Sequence, residues 1–200
     1  MVGAVRRPLH AMTSVATAIH HGFELGAGTG LVFQPYLGMR GATALWSVSL
    51  PAWFAAAARG STRWDRILAF LAGLSIGGAG VHFTLWPWER RGGLPLLTEA
   101  EGLRPGQLPA YNAVLYAWAL SAVAALAQET PREARRWALI GVLASFPLRF
   151  SARHHFEWIK EQARSNPAWW NRALRGPLDP PYNGPRRDAR ADEGARLESV

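Results

Sequence analysis

The chain has 200 residues, enough for one compact domain, and it contains no cysteine, which excludes disulfides, thiolate metal sites and Cys nucleophiles. Charged residues make up only 18% of the chain, below the roughly 25% usual in soluble domains, and the formal net charge is +8. Most of the excess arginine flanks apolar segments, which favours contact with anionic lipid headgroups and argues against a nucleic-acid partner. These flanking residues are Arg6, Arg7, Arg40, Arg59, Arg63, Arg66, Arg90, Arg91, Arg132, Arg135 and Arg136.

Three long uncharged stretches predict membrane-spanning helices at 41–58, 67–88 and 105–128. A hydrocarbon core about 30 Å thick requires about 20 apolar residues in helix. A charge at the centre of the bilayer costs several kcal/mol, so spans exclude it.

Two further spans are predicted at about 11–33 and about 137–152. The first lies in a segment whose only charge is Glu24, and the last contains Arg149 and also Pro147, which favours a kink. The fold class predicted is therefore all-α, a polytopic transmembrane helical bundle of about five spans within residues 1–165, in a multi-pass protein of the cell membrane.

The segments outside these spans are rich in glycine and proline. Residues 89–106 are predicted to form an irregular connection. Residues 166–200 are predicted to form a basic tail of cytoplasmic type, interfacial at Trp169 and Trp170 and disordered beyond about residue 176.

The first predicted helix carries the strongest functional pattern, His20-His21-Gly22-Phe23-Glu24. Helical spacing places Glu24 beside His20 at i+4 and beside His21 at i+3. A carboxylate at membrane depth must be protonated, paired or hydrated. These three residues are therefore candidate catalytic residues, and the alternative is a polar cluster that only fixes helix packing.

A metal site is a second interpretation of the same histidines. His154 and Glu157 repeat the His-x-x-Glu spacing of His21 and Glu24, which points both side chains to one side of a helix, as di-metal carboxylate sites require. Two interpretations apply to His82: it is either a metal or haem ligand or a histidine at the membrane interface. The candidate ligands for Zn²⁺, di-iron or haem are His21, His82, His154, His155 and Glu157.

Glu24 and Arg149 are the two charges predicted to lie inside spans, so they are also expected to form an ion pair between the first and last helices. Two tryptophans, Trp46 and Trp118, lie deep in their predicted spans. They are expected either to line a pocket for an apolar substrate or to pack against other helices.

The pattern His20-x-x-x-Glu24 within a span is similar to one in the emopamil-binding sterol-isomerase family. The resemblance covers five residues, and the later spans contain no matching acidic residue. It implies acid or base chemistry by Glu24 on an isoprenoid or lipid, which is the first functional hypothesis. The second is a metal- or haem-binding redox protein, and the third is a non-catalytic subunit that contacts other membrane subunits. Proton transport is disfavoured because no inverted repeat is visible. All of these hypotheses include membrane lipids as partners.

Overall fold

A computed structural model describes residues 5–175, so the predicted disorder beyond residue 176 lies outside the described residues. The described chain contains five long α-helices, which confirms the prediction of a helical protein. Each of the five predicted segments overlaps one of them. They are α1 (Pro8–Ala27), α2 (Gln34–Arg59), α3 (Asp65–Leu85), α4 (Leu108–Gln128) and α5 (Arg136–Ser165).

Two helical segments are long and apolar enough to cross a membrane. They are Thr62–Leu85, with a mean hydropathy of 1.6, and Pro105–Gln128, with a mean hydropathy of 1.5. The other three helices contain more polar side chains. In α1 these include His20, His21 and Glu24, and the second half of α5 is crowded with charge.

The α1 helix begins against the connection between α4 and α5. The carboxylate of Glu129 accepts hydrogen bonds from the backbone N–H groups of Leu9, at 2.8 Å, and His10, at 2.9 Å. It thereby satisfies donors that the first turn of a helix leaves free, and its charge faces the positive end of the helix dipole. Beside it, the imidazole of His10 contacts the hydroxyl of Thr130 at 2.9 Å, and Arg7 forms an ion pair with Asp65.

Replacing Glu129 with alanine is expected to lower the free energy of unfolding by about 1–2 kcal/mol, because two amide donors at the start of α1 lose a charged acceptor. Denaturant titration in detergent micelles measures the change. The control is Glu133→Ala, which removes an exposed carboxylate from the same connection. Equal losses in the two variants would contradict the capping role.

The α3 and α5 helices approach each other closely through glycine. A methyl group on Gly73 would overlap the backbone of Ala138, and one on Gly141 would overlap the backbone of Phe70. Small residues of this kind let helix backbones come into van der Waals contact. The α5 helix continues through Pro147 as a single element.

The connection between α3 and α4 contains a hairpin, which corrects the prediction of an irregular connection over its first part, whereas residues 98–104 have neither helix nor strand. Strands β1 (Trp88–Arg91) and β2 (Leu94–Leu97) form an antiparallel hairpin. Its turn is made by Gly92 and Gly93, both with positive φ, as the tight hairpin turns require. The side-chain amide of Asn112 bonds to both backbone groups of Leu97 and holds the hairpin on α4.

The described part of the tail also packs on the bundle. A 3₁₀ helix, Trp169–Leu174, buries Trp170 against Trp158, with ring centroids 6.2 Å apart. The N–H of Ala173 donates to the carbonyl of Gly28 at 3.2 Å, at the end of α1. The packed structure therefore continues past the boundary predicted at residue 165, and Trp169 remains 57% exposed.

Candidate functional site

The last turns of α1 carry His20, His21 and Glu24 into the interior of the bundle. The helix ends at Gly28, whose positive φ and N–H bonds to the carbonyls of Glu24 and Leu25 form a left-handed cap. His20 is 2% exposed and His21 is 6% exposed, so both imidazoles are removed from the surface. The carboxylate of Glu24 is thus held in the final turn of α1 and surrounded by other helices.

Three imidazoles surround the Glu24 carboxylate. His20 Nε2 lies 3.5 Å from Oε2, His21 Nδ1 lies 3.7 Å from Oε2, and His82 Nε2 lies 3.6 Å from Oε1. The predicted neighbours on α1 are therefore present, and His82 joins them from α3.

Tyr111, near the start of α4, completes this cluster. Its hydroxyl donates a hydrogen bond of 2.7 Å to Glu24 Oε1, and its side chain is almost fully buried. The sequence interpretation did not single out Tyr111. The only available signal was a phenol near the beginning of an uncharged span, and nothing local linked it to Glu24.

The hydrogen bonding of His82 fixes which of its ring nitrogens carries a proton. His82 Nδ1 lies 2.8 Å from the carbonyl oxygen of Gly78, and a carbonyl can only accept. Nδ1 must therefore be the donor. The lone pair of Nε2 in neutral His82 therefore faces the Glu24 carboxylate, 3.6 Å away.

The cluster lies in a cavity of about 120 Å³, named here the Glu24 cavity. Apart from the cluster, its lining is mainly apolar, and Trp118 stacks on His20 with ring centroids 4.5 Å apart. The connection between α3 and α4 covers one side of it, where Glu101 forms an ion pair of 2.7 Å with Lys160 on α5.

A larger cavity of about 680 Å³, named here the α2 cavity, adjoins the first. It lies against α2, α3 and α5, and its lining includes Trp46, which contacts His21 with ring centroids 4.0 Å apart. The two deep tryptophans of the sequence, Trp46 and Trp118, therefore both line a cavity. The two cavities share the lining residues His21, Val32, Gly78, Trp118, Leu148 and Ser151.

The second predicted His-x-x-Glu pair does not join the site. His154 and Glu157 are exposed, and Glu157 accepts a 2.7 Å hydrogen bond from Arg153. The spacing does place both side chains on one face of α5, but that face points outward. The neighbouring His155 lines the Glu24 cavity instead.

The predicted ion pair between Glu24 and Arg149 is absent from the described part of the chain. Arg149 is exposed on α5, whereas Glu24 is paired with histidines of α1 and α3. Because Arg149 is exposed, its charge reaches the surface and needs no buried partner.

Comparison of the chain with protein-family models, with curated proteins and with solved structures found no match. Any function must therefore be argued from the geometry of Glu24, its neighbours and the two cavities.

Proposed function

We propose that this protein is a multi-pass membrane enzyme that transfers protons on a lipophilic substrate, with Glu24 as the base. The observation that carries the proposal is the carboxylate of Glu24, whose side chain is only 20% exposed. It is bonded to Tyr111 and surrounded by imidazoles, next to a large apolar cavity. Ligand sites generally combine an apolar lining with a few convergent polar groups.

The inverted polarity of α1 supports its placement in a membrane. Its outward face carries Met12, Val15 and Ile19, which are 54%, 44% and 53% exposed. Its inward face buries polar residues: His10, Thr13, Ser14, Thr17, His20 and His21. This arrangement is unfavourable in water, but it is favourable where the surroundings are hydrocarbon and polar groups satisfy one another inside the bundle.

The other helices also expose apolar side chains. On α5 these side chains recur at helical spacing, and each is more than half exposed: Leu139, Leu143, Phe146 and Phe150. On α4, Leu120 and Val123 are 62% and 48% exposed, and on α2, Val48 is 70% exposed. Exposed apolar side chains on α1, α2, α4 and α5 support the proposal that the bundle has five spans.

The chemistry we propose is an isomerisation. A C–H bond of the substrate breaks, its electron pair stays with the substrate, and Glu24 takes the proton. His82 Nε2, after taking a proton from water, delivers it to form a C–H bond at another carbon, and Glu24 then releases its proton to water, which restores both groups. The substrate keeps its composition and oxidation state, so no redox partner is needed.

Incorporation of solvent deuterium tests this proposal with a mixture of candidate lipids, so the substrate need not be identified first. Purified protein in lipid nanodiscs is incubated in D₂O with a neutral-lipid extract of the source cells, and the extract is analysed by mass spectrometry. We expect a neutral lipid species to gain deuterium only when the protein is present. Identical isotope patterns with and without protein would overturn the proposal.

Metal binding is the second candidate function, and the positions of the donor atoms favour it. One ligand atom each from His20, His21 and Glu24 lie within 4.8 Å of one another. His20 Nδ1 and both nitrogens of His21 are buried without a hydrogen-bond partner. Nitrogen and carboxylate donors suit Zn²⁺ and iron.

Elemental analysis after dialysis against Zn²⁺ or Fe²⁺ tests this candidate. A metal centre predicts about one retained ion per chain and loss of that ion in His20→Ala. A visible spectrum of the same sample tests for haem. A colourless sample that retains no metal would eliminate the metal candidate and leave proton transfer unaffected.

A further inference from the structure

The lining of the α2 cavity contains no charged side chain among the described residues. It consists of aliphatic, aromatic, small and hydroxyl residues, with His21 at the border of the Glu24 cavity. A phosphate or carboxylate placed there would have no arginine or lysine to pair with, and an unpaired charge in an apolar site is strongly disfavoured. The lining therefore selects an uncharged molecule.

The same cavity is lined by buried hydrogen-bond donors that have no partner. These unpartnered donors are the hydroxyl of Ser49 and the indole N–H groups of Trp46, Trp53, Trp64 and Trp118. An indole nitrogen can only donate, and buried tryptophans usually satisfy this donor. A buried donor without a partner is unfavourable, so an occupant with acceptor oxygens would stabilise the cavity.

The cavity also reaches the outer apolar surface of the bundle. Three of its lining residues, Tyr36, Leu45 and Ile67, are 62%, 41% and 47% exposed. They belong to α2 and α3. A molecule dissolved in the bilayer can therefore enter from the side without passing through water, and its inner end then reaches His21.

We propose that the α2 cavity binds an uncharged lipophilic substrate with a hydrogen-bond-accepting oxygen and presents its reacting end to His21 and Glu24. The volume of about 680 Å³ lies within the usual range of small-molecule sites. This assignment rests on the proposed function, because it names the substrate class of the same site. It makes a separate claim about binding, which can be measured without turnover.

Three probes of equal chain length separate the contributions of charge and of the acceptor oxygen. They are methyl pentadecyl ketone, heptadecanoate and heptadecane, each isotopically labelled and added to protein in nanodiscs of uncharged lipid. Probe bound above the level of empty nanodiscs is measured after gel filtration. We expect the ketone to bind more tightly than the carboxylate and the alkane. Equal or tighter binding of heptadecanoate, equal binding of heptadecane, or no ketone binding would each overturn the assignment.

Substitution of single tryptophans then locates the donor. Trp46→Phe keeps an aromatic ring and removes the N–H, so it should weaken ketone binding about 3- to 10-fold and leave alkane binding unchanged. The matched control is Trp137→Phe, which removes another buried, unpartnered indole N–H that does not line the α2 cavity. Equal losses in both variants would overturn the proposed role of the cavity.

Ketone binding and deuterium incorporation, both measured on the wild-type protein, distinguish failure of the binding assignment from failure of the proposed enzyme. In the wild-type protein, ketone binding without deuterium incorporation into any lipid would retain the binding assignment and reject the proton-transfer function. Deuterium incorporation without ketone binding would retain the proton-transfer function and reject the binding assignment.

Discussion

Replacing Glu24 with glutamine is expected to lower the rate of deuterium incorporation about 10²–10⁴-fold, the usual contribution of a general base. Glutamine has the same shape as glutamate, and its carbonyl oxygen can still accept the hydrogen bond that Tyr111 donates. The variant should therefore fold. What it loses is the ability to take up a proton and to balance charge on the surrounding imidazoles.

Glu157→Gln is the matched control for this experiment. Glu157 also follows a histidine by three residues, but it is exposed on α5 and bonded to Arg153. Its replacement should leave the rate at the wild-type value. An unchanged rate in Glu24→Gln, with the protein folded, would show that Glu24 does not carry the chemistry.

The helices could be predicted because their signal is local. Long gaps between charges identify segments that are stable in hydrocarbon, and the described chain has helices at all five positions. The neighbours of Glu24 on its own helix, His20 and His21, followed from helical spacing alone.

The remaining neighbours could not be predicted, because their contacts join distant parts of the chain. Tyr111 and Glu24 are 87 residues apart, and no local pattern relates them. His82 was ambiguous for the same reason. The hairpin differs, since its signal is local: Gly92-Gly93 is a recognised signal for a tight turn.

Two predictions on α5 were wrong, the second His-x-x-Glu pair in the site and the ion pair of Arg149 with Glu24. Both depended on the side of the helix to which these side chains point. Spacing shows which side chains share a face, but it does not show which face turns inward. His154 and Arg149 point outward, whereas the neighbouring His155 lines the Glu24 cavity. Only the packing of α5 against α3, which depends on glycine contacts, decides this rotation.

Replacing Gly73 with alanine is accordingly expected to have the largest effect on stability, a loss of about 3 kcal/mol or more in the free energy of unfolding. The added methyl group would overlap the backbone carbonyl of Ala138, and no side-chain rotation can relieve contact with backbone atoms. The α3 and α5 helices would have to move apart, and they would then lose the close backbone packing that small residues allow between helices. Denaturant titration in detergent micelles measures the loss.

Gly80→Ala is the matched control, because it makes the same substitution in the same helix. Gly80 is exposed, and a methyl group there would contact nothing within 4 Å. Alanine has the higher helix propensity, so this variant should be more stable than wild type by about 0.4–1 kcal/mol. If Gly73→Ala lowers the free energy of unfolding and Gly80→Ala raises it, the loss at Gly73 comes from the contact between the helices and not from helix propensity. Stabilisation of both variants would mean that α3 and α5 do not meet at Gly73.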